Sequence, residues 1–579
     1  MKKGVKYIQD LRVYLLFFFV LAVSFFVLAR LYFLQIAAHE KYKMIADGQY
    51  KVFKELESER GSVFMNDKKK SYPLAINRDL QMAYAVPREI DDVNVFANEI
   101  GSILGMEKNV ILDKIADKDD VFEVLKRKLT DEEVDKINEL KFTGIHLAPE
   151  SYRYYPAGRL ASQIVGFVGW DNNSFSGRYG VESFWDSELK GKSGMISQEK
   201  DAGGRWISLV ERDFQPAVDG VDLFLTIDYA VQYETEKILE SAIKRHQADN
   251  GSILVMEPKT GRILSMASYP NFDPNEYWNV EDMKHYINPV VSGTYESGSV
   301  LKPITMAIGI DEGKVEPDST YVDTGVVYEA GYEIKNSDEK AYGLQTMTQV
   351  LEESLNTGVI HVEKLVGNKK FANYIKRFGF GEESGIELPG ESAGNISNLE
   401  HLNRNIEFFT ASYGQGLTMT PLQLTNAYAT IANGGKFMKP QIIDKIVYSN
   451  GETKEIRPQE IRRVIREDTA KKVSKMLRSV VVNGHGKKAD VPGYLVGGKT
   501  GTAQVAKKNE KGYEEGVAIG SFVGFAPIND PQFVVCVKIS NPKDVLWAES
   551  SAAPTFGEVM EFLLEYYGIE PTEPINASE

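Results

Sequence analysis

The 579-residue chain is poor in the residues that bind metals or form disulfide bonds. It contains a single cysteine, Cys536, so no disulfide can form within the chain. The seven histidines are scattered, without the paired spacing of a zinc site: His39, His146, His246, His285, His361, His401 and His485. The sequence therefore predicts a protein that uses neither a metal nor another cofactor.

Basic residues are outnumbered by acidic ones. Lys plus Arg number 67 and Asp plus Glu number 82, which gives a formal net charge of −15. An acidic chain is a poor general binder of nucleic acid, so we expect no nucleic-acid partner. Apolar residues make up 43% and charged residues 26%, values that exclude disorder as the main character of the chain. At this length we expect about two to four domains.

Long apolar runs are also scarce, and the one that is present lies at the amino terminus. Val13–Ala29 is interrupted only by Tyr14 and Ser24, and as a helix it would span roughly 26 Å. When it is extended to residue 34, it exceeds the ~30 Å hydrocarbon core of a bilayer. We therefore predict a single-pass transmembrane anchor over residues 13–34.

The residues that precede this run predict its orientation. They comprise four basic residues and one acidic residue: Lys2, Lys3, Lys6, Arg12 and Asp10. By the positive-inside bias, residues 1–12 form a cytoplasmic tail and the chain beyond residue 34 lies outside. Two alternatives stay open. One is a cleaved signal peptide, for which Ala22-Val23-Ser24 offers a small-x-small site, and the other is a buried soluble helix.

The rest of the chain divides by composition. Residues 39–59 are polar and helical in pattern, and we predict a stalk over residues 35–59. Residues 60–210 are rich in glycine in their second half, which predicts an elongated, turn-rich pedestal. Residues 221–567 carry strand signals at both ends and helical stretches between them, so we expect one α+β domain whose terminal segments share a sheet. Residues 568–579 are expected to form a loose tail.

One Ser-x-x-Lys motif has a context that suits catalysis. The chain contains six such motifs, which begin at Ser187, Ser197, Ser241, Ser299, Ser337 and Ser540. Ser299 follows a turn and precedes an apolar helical stretch, so its hydroxyl is predicted to lie at a helix start with Lys302 one turn along. A helix-capping serine beside a surface lysine is the structural alternative.

The serine also needs a base of suitable pKa. A lysine can take the serine proton only if its own pKa is lowered by burial or by nearby positive charge. The segment Lys499-Thr500-Gly501-Thr502 could supply that charge, and Gly501 would let a substrate backbone approach closely. The other Lys-Thr-Gly, at Lys259, is explained as a hairpin turn. Ser354 and Asn356 follow a helical stretch and could face the same cleft.

Taken together, these segments resemble a known family. Tyr295–Pro303, Ser354–Thr357 and Gly498–Ala503 have the order and spacing of the motifs in the transpeptidase domain of penicillin-binding proteins. Further pieces agree with that domain: 225–228, 414–416, 420–423 and 552–554. The front half resembles the class B branch at three places: 60–63, 153–156 and 180–182. The resemblance covers nearly the whole chain.

This resemblance implies a fold and an activity. The fold is α+β, a penicillin-binding/serine β-lactamase-like domain with an antiparallel sheet and helices, preceded by an elongated pedestal (dimerisation) domain and one N-terminal transmembrane helix. The activity is that of a D,D-transpeptidase that cross-links peptidoglycan. Ser299 would attack the penultimate D-Ala carbonyl of a stem peptide, Lys302 would be its base, and Ser354 would relay a proton to the leaving amine. β-Lactams would acylate Ser299.

The resemblance also assigns residues to substrate binding. Asn356 would hold the base and the substrate amide. Lys499 would supply positive charge, while Thr500 and Thr502 would bind the terminal carboxylate next to Gly501. The backbone N–H groups of Thr502 and of the nucleophile would form the oxyanion hole.

Partners and location follow from the same resemblance. The expected partners are peptidoglycan stem peptides, β-lactams, the membrane, a glycosyltransferase and other cell-wall synthesis proteins. The expected location is the bacterial cell membrane, with the catalytic domain outside the cytoplasm. Two alternatives of the same fold remain: a D,D-carboxypeptidase or β-lactamase, and a β-lactam-binding sensor or scaffold. The long pedestal and the amino-terminal anchor argue against the first, and the single predicted span argues against the second.

Overall fold

The computed structural model of the chain describes these residues: 2–32, 35–36, 51–68, 70–171, 174–199, 213–506 and 512–573. They form two compact units. The first unit comprises Met1–Glu59 and Lys190–Gly220, and the second comprises Arg60–Leu189 and Val221–Glu579.

The α-helices of the described residues are numbered in chain order. They are α1 (Lys2–Tyr32), α2 (Val93–Leu104), α3 (Lys108–Lys114), α4 (Asp131–Leu140), α5 (Ser162–Val165), α6 (Gly180–Phe184), α7 (Asp186–Lys190), α8 (Tyr229–His246), α9 (Pro289–Ser292), α10 (Lys302–Asp311), α11 (Met347–Glu352), α12 (Asn356–Val366), α13 (Asn368–Arg377), α14 (Asn405–Ser412), α15 (Pro421–Ala432), α16 (Glu467–Val482) and α17 (Ala552–Tyr566).

The strands are numbered in the same way. They are β1 (Lys51–Leu56), β2 (Val63–Asp67), β3 (Lys70–Ala85), β4 (Glu123–Lys126), β5 (Ile145–Tyr154), β6 (Phe167–Asp171), β7 (Ser174–Arg178), β8 (Gly194–Glu199), β9 (Asp213–Gln215), β10 (Asp222–Asp228), β11 (Asn250–Met256), β12 (Ile263–Tyr269), β13 (Thr320–Asp323), β14 (Val326–Glu329), β15 (Tyr332–Lys335), β16 (Gly343–Thr346), β17 (Lys436–Met438), β18 (Ile443–Val447), β19 (Thr453–Glu455), β20 (Glu460–Arg463), β21 (Gly497–Ala506), β22 (Tyr513–Ala526) and β23 (Phe533–Ser540).

The first unit contains α1 and a three-stranded antiparallel sheet in the order β1-β8-β9. The helical pattern predicted for residues 39–59 is wrong over Lys51–Leu56, which is a strand. Its partner β8 lies far along the chain, and local periodicity carries no trace of such a pairing. Residues 37–50 lie outside the described residues.

The helix α1 coincides with most of the predicted anchor. Its described side chains include a run of exposed apolar residues from Leu16 to Leu28. Among the residues that the structure describes, no helix reaches the length and apolarity that a membrane crossing requires. The anchor over residues 13–34 therefore stays a prediction, and residues 33 and 34 lie outside the described part.

The second unit is built on a five-stranded antiparallel sheet in the order β12-β11-β23-β22-β21. Its strands come from both ends of the segment 221–567, which confirms the predicted α+β class and the shared sheet. Alternate residues face opposite sides, because side chains alternate along a strand. Ile253 and Val255 pack in a cluster that includes α8 and α17, whereas Leu254 and Met256 pack in the cluster that includes α10 and α15.

A second sheet joins the two regions that the sequence predicts as separate domains. Its order is β19-β18-β10-β2-β3-β4, and β5 pairs with β3. Strand β10 pairs in parallel with β2 and antiparallel with β18. The predicted limits 60–210 and 221–567 remain predictions, since residues 200–212 lie outside the described residues, as do residues 574–579 of the predicted tail.

The three front-half segments that resemble class B penicillin-binding proteins, 60–63, 153–156 and 180–182, meet at one buried carboxylate. Glu182 is fully buried and lies 2.6 Å from a guanidinium nitrogen of Arg60 and 2.6 Å from one of Arg153. A buried carboxylate needs such partners, because an unpaired buried charge costs several kcal/mol. This network gives a structural reason for the arginines in segments 60–63 and 153–156.

Candidate active site

Ser299 lies in a 3₁₀ turn, Gly298–Leu301, that leads directly into α10. The turn is fixed by Gly414, whose carbonyl oxygen accepts the N–H of Gly298 at 3.0 Å. Gly298 has a φ of +59°, and a Cβ at Gly414 would stand 2.2 Å from the Gly298 carbonyl oxygen. Both glycines are therefore required, and the serine is held at the mouth of a cleft.

Lys302 is the first residue of α10 and is fully buried. Its Nζ donates to the carbonyl oxygen of Ser354 and, at 3.2 Å, to the Ser354 hydroxyl. Ser354 occupies the connection between α11 and α12 with a φ of +57°, a conformation that turns both oxygens toward one amine. The structure thus brings together Lys302 and Ser354, as the sequence predicts.

Two buried lysines share this region. Burial lowers the pKa of Lys302 well below its usual value, and the charge of Lys499 lowers it further. Burial also lowers the pKa of Lys499, to about 7, against the opposing effect of Glu549. The Lys499 amine lies 3.2 Å from the carbonyl oxygen and 3.3 Å from the hydroxyl of Thr500. One lysine can therefore be neutral beside a second that keeps part of its charge.

Gly501 lies on β21, the edge strand of the five-stranded sheet. A Cβ at this position would stand 2.8 Å from the Ser297 carbonyl oxygen and 3.0 Å from the Val300 nitrogen. The glycine lets the strand pack directly on the turn that carries Ser299, a role that the sequence analysis missed. Its contact with substrate stays a prediction.

The two threonines of the same segment reach the cleft. Thr500 and Thr502 line it together with Ser299 and Ser354. The Thr502 hydroxyl accepts the N–H of Ala548 at 3.1 Å, which ties the edge strand to the loop that precedes α17. The Thr500 hydroxyl, in turn, lies 3.3 Å from the Lys499 amine.

Asn356 is placed differently from the prediction. Its side-chain amide donates to the carbonyl oxygen of Lys335 at 2.8 Å, at the end of β15. Within the described residues it forms no hydrogen bond with Lys302, so the predicted contact with the base is absent. Asn356 begins α12, and its amide therefore joins that helix to the β14–β15 hairpin.

The cleft has a volume of about 360 Å³. Six lining residues were not assigned to the cleft by sequence reasoning, although two of them belong to the Ser-x-x-Lys motif that begins at Ser337: Asp338, Lys340, Tyr342, His485, Trp547 and Glu549. His485 Nδ1 lies 3.3 Å from a Glu549 carboxylate oxygen. These residues come from three distant segments with no periodic pattern, so no signal in the sequence places them here. In the described part of the chain, no cluster of three or more His, Cys, Asp or Glu side chains could hold a metal.

Two family models match the chain. The penicillin-binding protein transpeptidase domain matches residues 251–561, and the penicillin-binding protein dimerisation domain matches residues 55–225. The first match alone covers more than half of the chain, and the second lies ahead of it.

Comparison with individual proteins supports the same family. The chain is 34% identical over 567 residues to stage V sporulation protein D of Bacillus subtilis, covering 96% of this chain and 86% of that protein. It is 30% identical over 556 residues to the peptidoglycan D,D-transpeptidase FtsI of Escherichia coli K12, covering 94% of this chain and 90% of that protein. The crystal structure of penicillin-binding protein 3 from Mycobacterium tuberculosis in complex with aztreonam matches with a TM-score of 0.70 and 27% identity. The match covers 90% of this chain and 99% of the chain in that structure. The chain belongs to the class B penicillin-binding proteins.

Proposed function

We propose that this protein is a peptidoglycan D,D-transpeptidase that works through an acyl-enzyme on Ser299, the residue that β-lactams also acylate. The observation that carries the proposal is the buried Lys302, which contacts Ser354 and has a lowered pKa. A serine nucleophile needs such a base, because its hydroxyl is weak until a neighbouring group accepts the proton. The similarity to the peptidoglycan D,D-transpeptidase of Escherichia coli supports the same conclusion.

The first half of the reaction forms the acyl-enzyme. The Ser299 oxygen attacks the carbonyl carbon of the penultimate D-Ala while the neutral Lys302 amine accepts the hydroxyl proton. The N–H groups of Ser299 and Thr502 stabilise the oxyanion of the tetrahedral intermediate. Collapse breaks the peptide bond, and the terminal D-Ala leaves as an amine that receives the proton from Lys302 through the Ser354 hydroxyl.

The second half transfers the acyl group. An amine of a neighbouring stem peptide attacks the ester carbonyl and gives its proton to Lys302. The ester bond then breaks, and the Ser299 oxygen regains a proton from the base. A new amide bond links the two stem peptides, so the peptide bond lost in the first half is replaced without any further reactant.

Substrate binding uses the edge strand β21. An edge strand has unpaired backbone groups that an extended peptide can join. Lys499, with Thr500 and Thr502, binds the terminal carboxylate, and Gly501 keeps the strand close to the nucleophile. Asn356, held by the Lys335 carbonyl in the described structure, contacts the substrate amide after it releases that bond.

The location and partners are part of the same proposal. Residues 13–34 anchor the chain with its amino terminus in the cytoplasm, since the basic residues lie before the run. The proposed division is a tail, an anchor, a stalk, a pedestal, a transpeptidase domain and a second tail: 1–12, 13–34, 35–59, 60–210, 221–567 and 568–579. Because the substrate is a growing polymer, a glycosyltransferase and other cell-wall synthesis proteins are the expected partners.

A labelling experiment tests the site. Fluorescent penicillin is expected to label the wild type and to lose labelling in Ser299→Ala. Ser241→Ala is the matched control, because Ser241 begins another Ser-x-x-Lys motif on an exposed part of α8. Robust labelling of Ser299→Ala would remove Ser299 from the mechanism.

A product assay tests the reaction. Donor and acceptor strands are incubated with the full chain, and cross-linked dimer is measured against released D-Ala. A transpeptidase gives dimer in step with D-Ala. Release of D-Ala without dimer would identify a carboxypeptidase, and acylation without either product would identify a sensor or scaffold.

A further inference from the structure

The second unit contains another cleft, of about 520 Å³, which shares no lining residue with the catalytic cleft. Its walls are one face of α8, the end of β12 and the chain that follows β5. Four tyrosines line it, and we call it the tyrosine cleft after them: Tyr72, Tyr229, Tyr233 and Tyr269. Nothing in the proposed reaction uses this cleft.

Three of the tyrosines form a row of nearly parallel rings. The rings of Tyr72 and Tyr229 are 4.1 Å apart at 24°, and those of Tyr229 and Tyr233 are 6.5 Å apart at 21°. Tyr233 ends the row and is 53% exposed, on the same face of α8 as Tyr229. An exposed tyrosine offers an apolar ring and a hydroxyl to a ligand that has both kinds of surface.

The cleft also has a buried polar group without a partner. Ser268 is only 4% exposed, it lines the cleft, and its hydroxyl forms no hydrogen bond within the described residues. A buried hydroxyl in this state costs about 1–3 kcal/mol unless something completes its bonding. A ligand that enters the cleft can do so.

The remaining polar groups of the cleft are fixed in place. Asn271 donates to Glu236 at 3.2 Å, which leaves the amide oxygen of Asn271 without a hydrogen bond among the described residues. Glu236 also accepts the N–H of Ala161 at 2.8 Å, and burial raises its pKa to about 7. At neutral pH this carboxyl is therefore only partly charged, and the floor of the cleft is polar without a full negative charge.

Charge at the rim is mostly neutralised. Lys237 pairs with Glu234 at 2.9 Å and Glu240 pairs with Lys244 at 2.7 Å. Arg159 is exposed and has no ion pair in the described part of the chain, so it can donate to a ligand oxygen. Aromatic rings, an unbonded hydroxyl, an amide oxygen and a guanidinium suit a neutral ligand rich in hydroxyl groups better than a polyanion or a cation.

We propose that the tyrosine cleft binds a pyranose oligosaccharide, namely a segment of the glycan backbone whose stem peptides the catalytic cleft cross-links. The source of the glycan rests on the proposed function. Sugar rings present C–H faces that pack on the tyrosines, and their edges carry hydroxyl or acetamido groups for Ser268, Asn271 and Arg159. The cleft, at the β12 edge of the five-stranded sheet, then holds the polymer at the edge opposite the catalytic cleft, which is lined by residues of β21.

A titration tests this site. The full chain, in a detergent without a sugar head group, is acylated with benzylpenicillin to close the catalytic cleft and is titrated with an N-acetylglucosamine tetramer. We expect saturable binding that is weakened roughly fivefold or more in Tyr233→Ala. Ser268→Ala is expected to weaken binding by a smaller factor. Tyr448→Ala, which removes a half-exposed tyrosine outside both clefts, should bind as the wild type does.

Three results would overturn the proposal: no saturable binding, equal binding by wild type and Tyr233→Ala, or binding seen only before acylation. Failure of the proposed function looks different. If benzylpenicillin does not acylate the wild type, the serine assignment fails, and the same titration on untreated protein still decides the tyrosine cleft. A final readout separates binding from folding, because Tyr233→Ala should be acylated at the wild-type rate.

Discussion

Two Ser-x-x-Lys motifs in this chain have the same spacing and opposite surroundings. In α8, Lys244 is exposed, pairs with Glu240 at 2.7 Å, and this pairing raises its pKa. At the start of α10, Lys302 is fully buried, has no carboxylate partner among the described residues, and its pKa is lowered by burial and by Lys499. The comparison teaches that the motif places an amine, and that burial gives this amine the lowered pKa that its proposed role as a base requires.

The two Lys-Thr-Gly segments repeat the lesson. Lys259 is half exposed on a turn and lies 2.5 Å from an Asp530 carboxylate oxygen. Lys499 is fully buried on an edge strand, and burial lowers its pKa to about 7. The sequence separates these copies only through the strand-like residues around Lys499.

The largest expected effect comes from replacing the lysines of the two Ser-x-x-Lys motifs one at a time. Lys302→Ala should slow acylation by fluorescent penicillin about a thousandfold, because it removes the base. Lys244→Ala should leave the rate unchanged. Rates are measured on both folded variants, and a Lys302→Ala protein that acylates within about tenfold of the wild type would assign the base elsewhere.

A buried carboxyl outside the cleft provides a second test of how burial changes a pKa. Glu363 on α12 is fully buried, neither of its oxygens has a hydrogen-bond partner among the described residues, and burial raises its pKa from 4.5 to about 7. Below pH 4.5 both the folded and unfolded states hold the proton. As pH rises to about 7 the unfolded state loses it first, so the free energy of unfolding falls by about 3 kcal/mol and then levels.

Glu363→Gln removes this titration. Between pH 4.5 and pH 7 the free energy of unfolding of the variant should therefore fall by about 3 kcal/mol less than that of the wild type. Denaturant titrations of both full-length proteins at the two pH values measure this difference. Identical pH dependence in both proteins would show that the carboxyl is hydrated in solution.

The smallest effect concerns the charge of Lys499. Above pH 7 the wild type should lose this charge, so acylation by penicillin should fall by at most about tenfold per pH unit. Lys499→Arg keeps its charge, so its ratio of rates at pH 9 and pH 7 should exceed that of the wild type. Lys259→Arg is the matched control and should show the wild-type profile. Equal ratios for all three proteins would contradict the assignment.

The sequence predicts the parts of the site that depend on short motifs. The Ser299–Lys302 spacing, the strand at Lys499 and the shared sheet of the α+β domain follow from local pattern, and the structure has all three. The interpretation of residues 39–59 as helical fails at β1, because the pairing of this strand is nonlocal.

The other omissions have the same physical origin. Tyr342, Trp547 and Glu549 reach the cleft from segments whose approach depends on the whole fold. Gly501 is needed for a contact with Ser297 that no spacing reveals. The side-chain amide of Asn356 donates to the carbonyl oxygen of Lys335 and forms no hydrogen bond with Lys302 among the described residues.

The pairing of β10 with β2 has a practical consequence for dissecting this enzyme. A chain cut at residue 221 would keep β10 but lose its parallel neighbour, and the row of backbone groups that β2 satisfies would be left open. Open edges recruit other strands, so such a fragment should self-associate. We therefore expect strand β2, which lies in the predicted pedestal, to protect the region that begins at residue 221 from self-association.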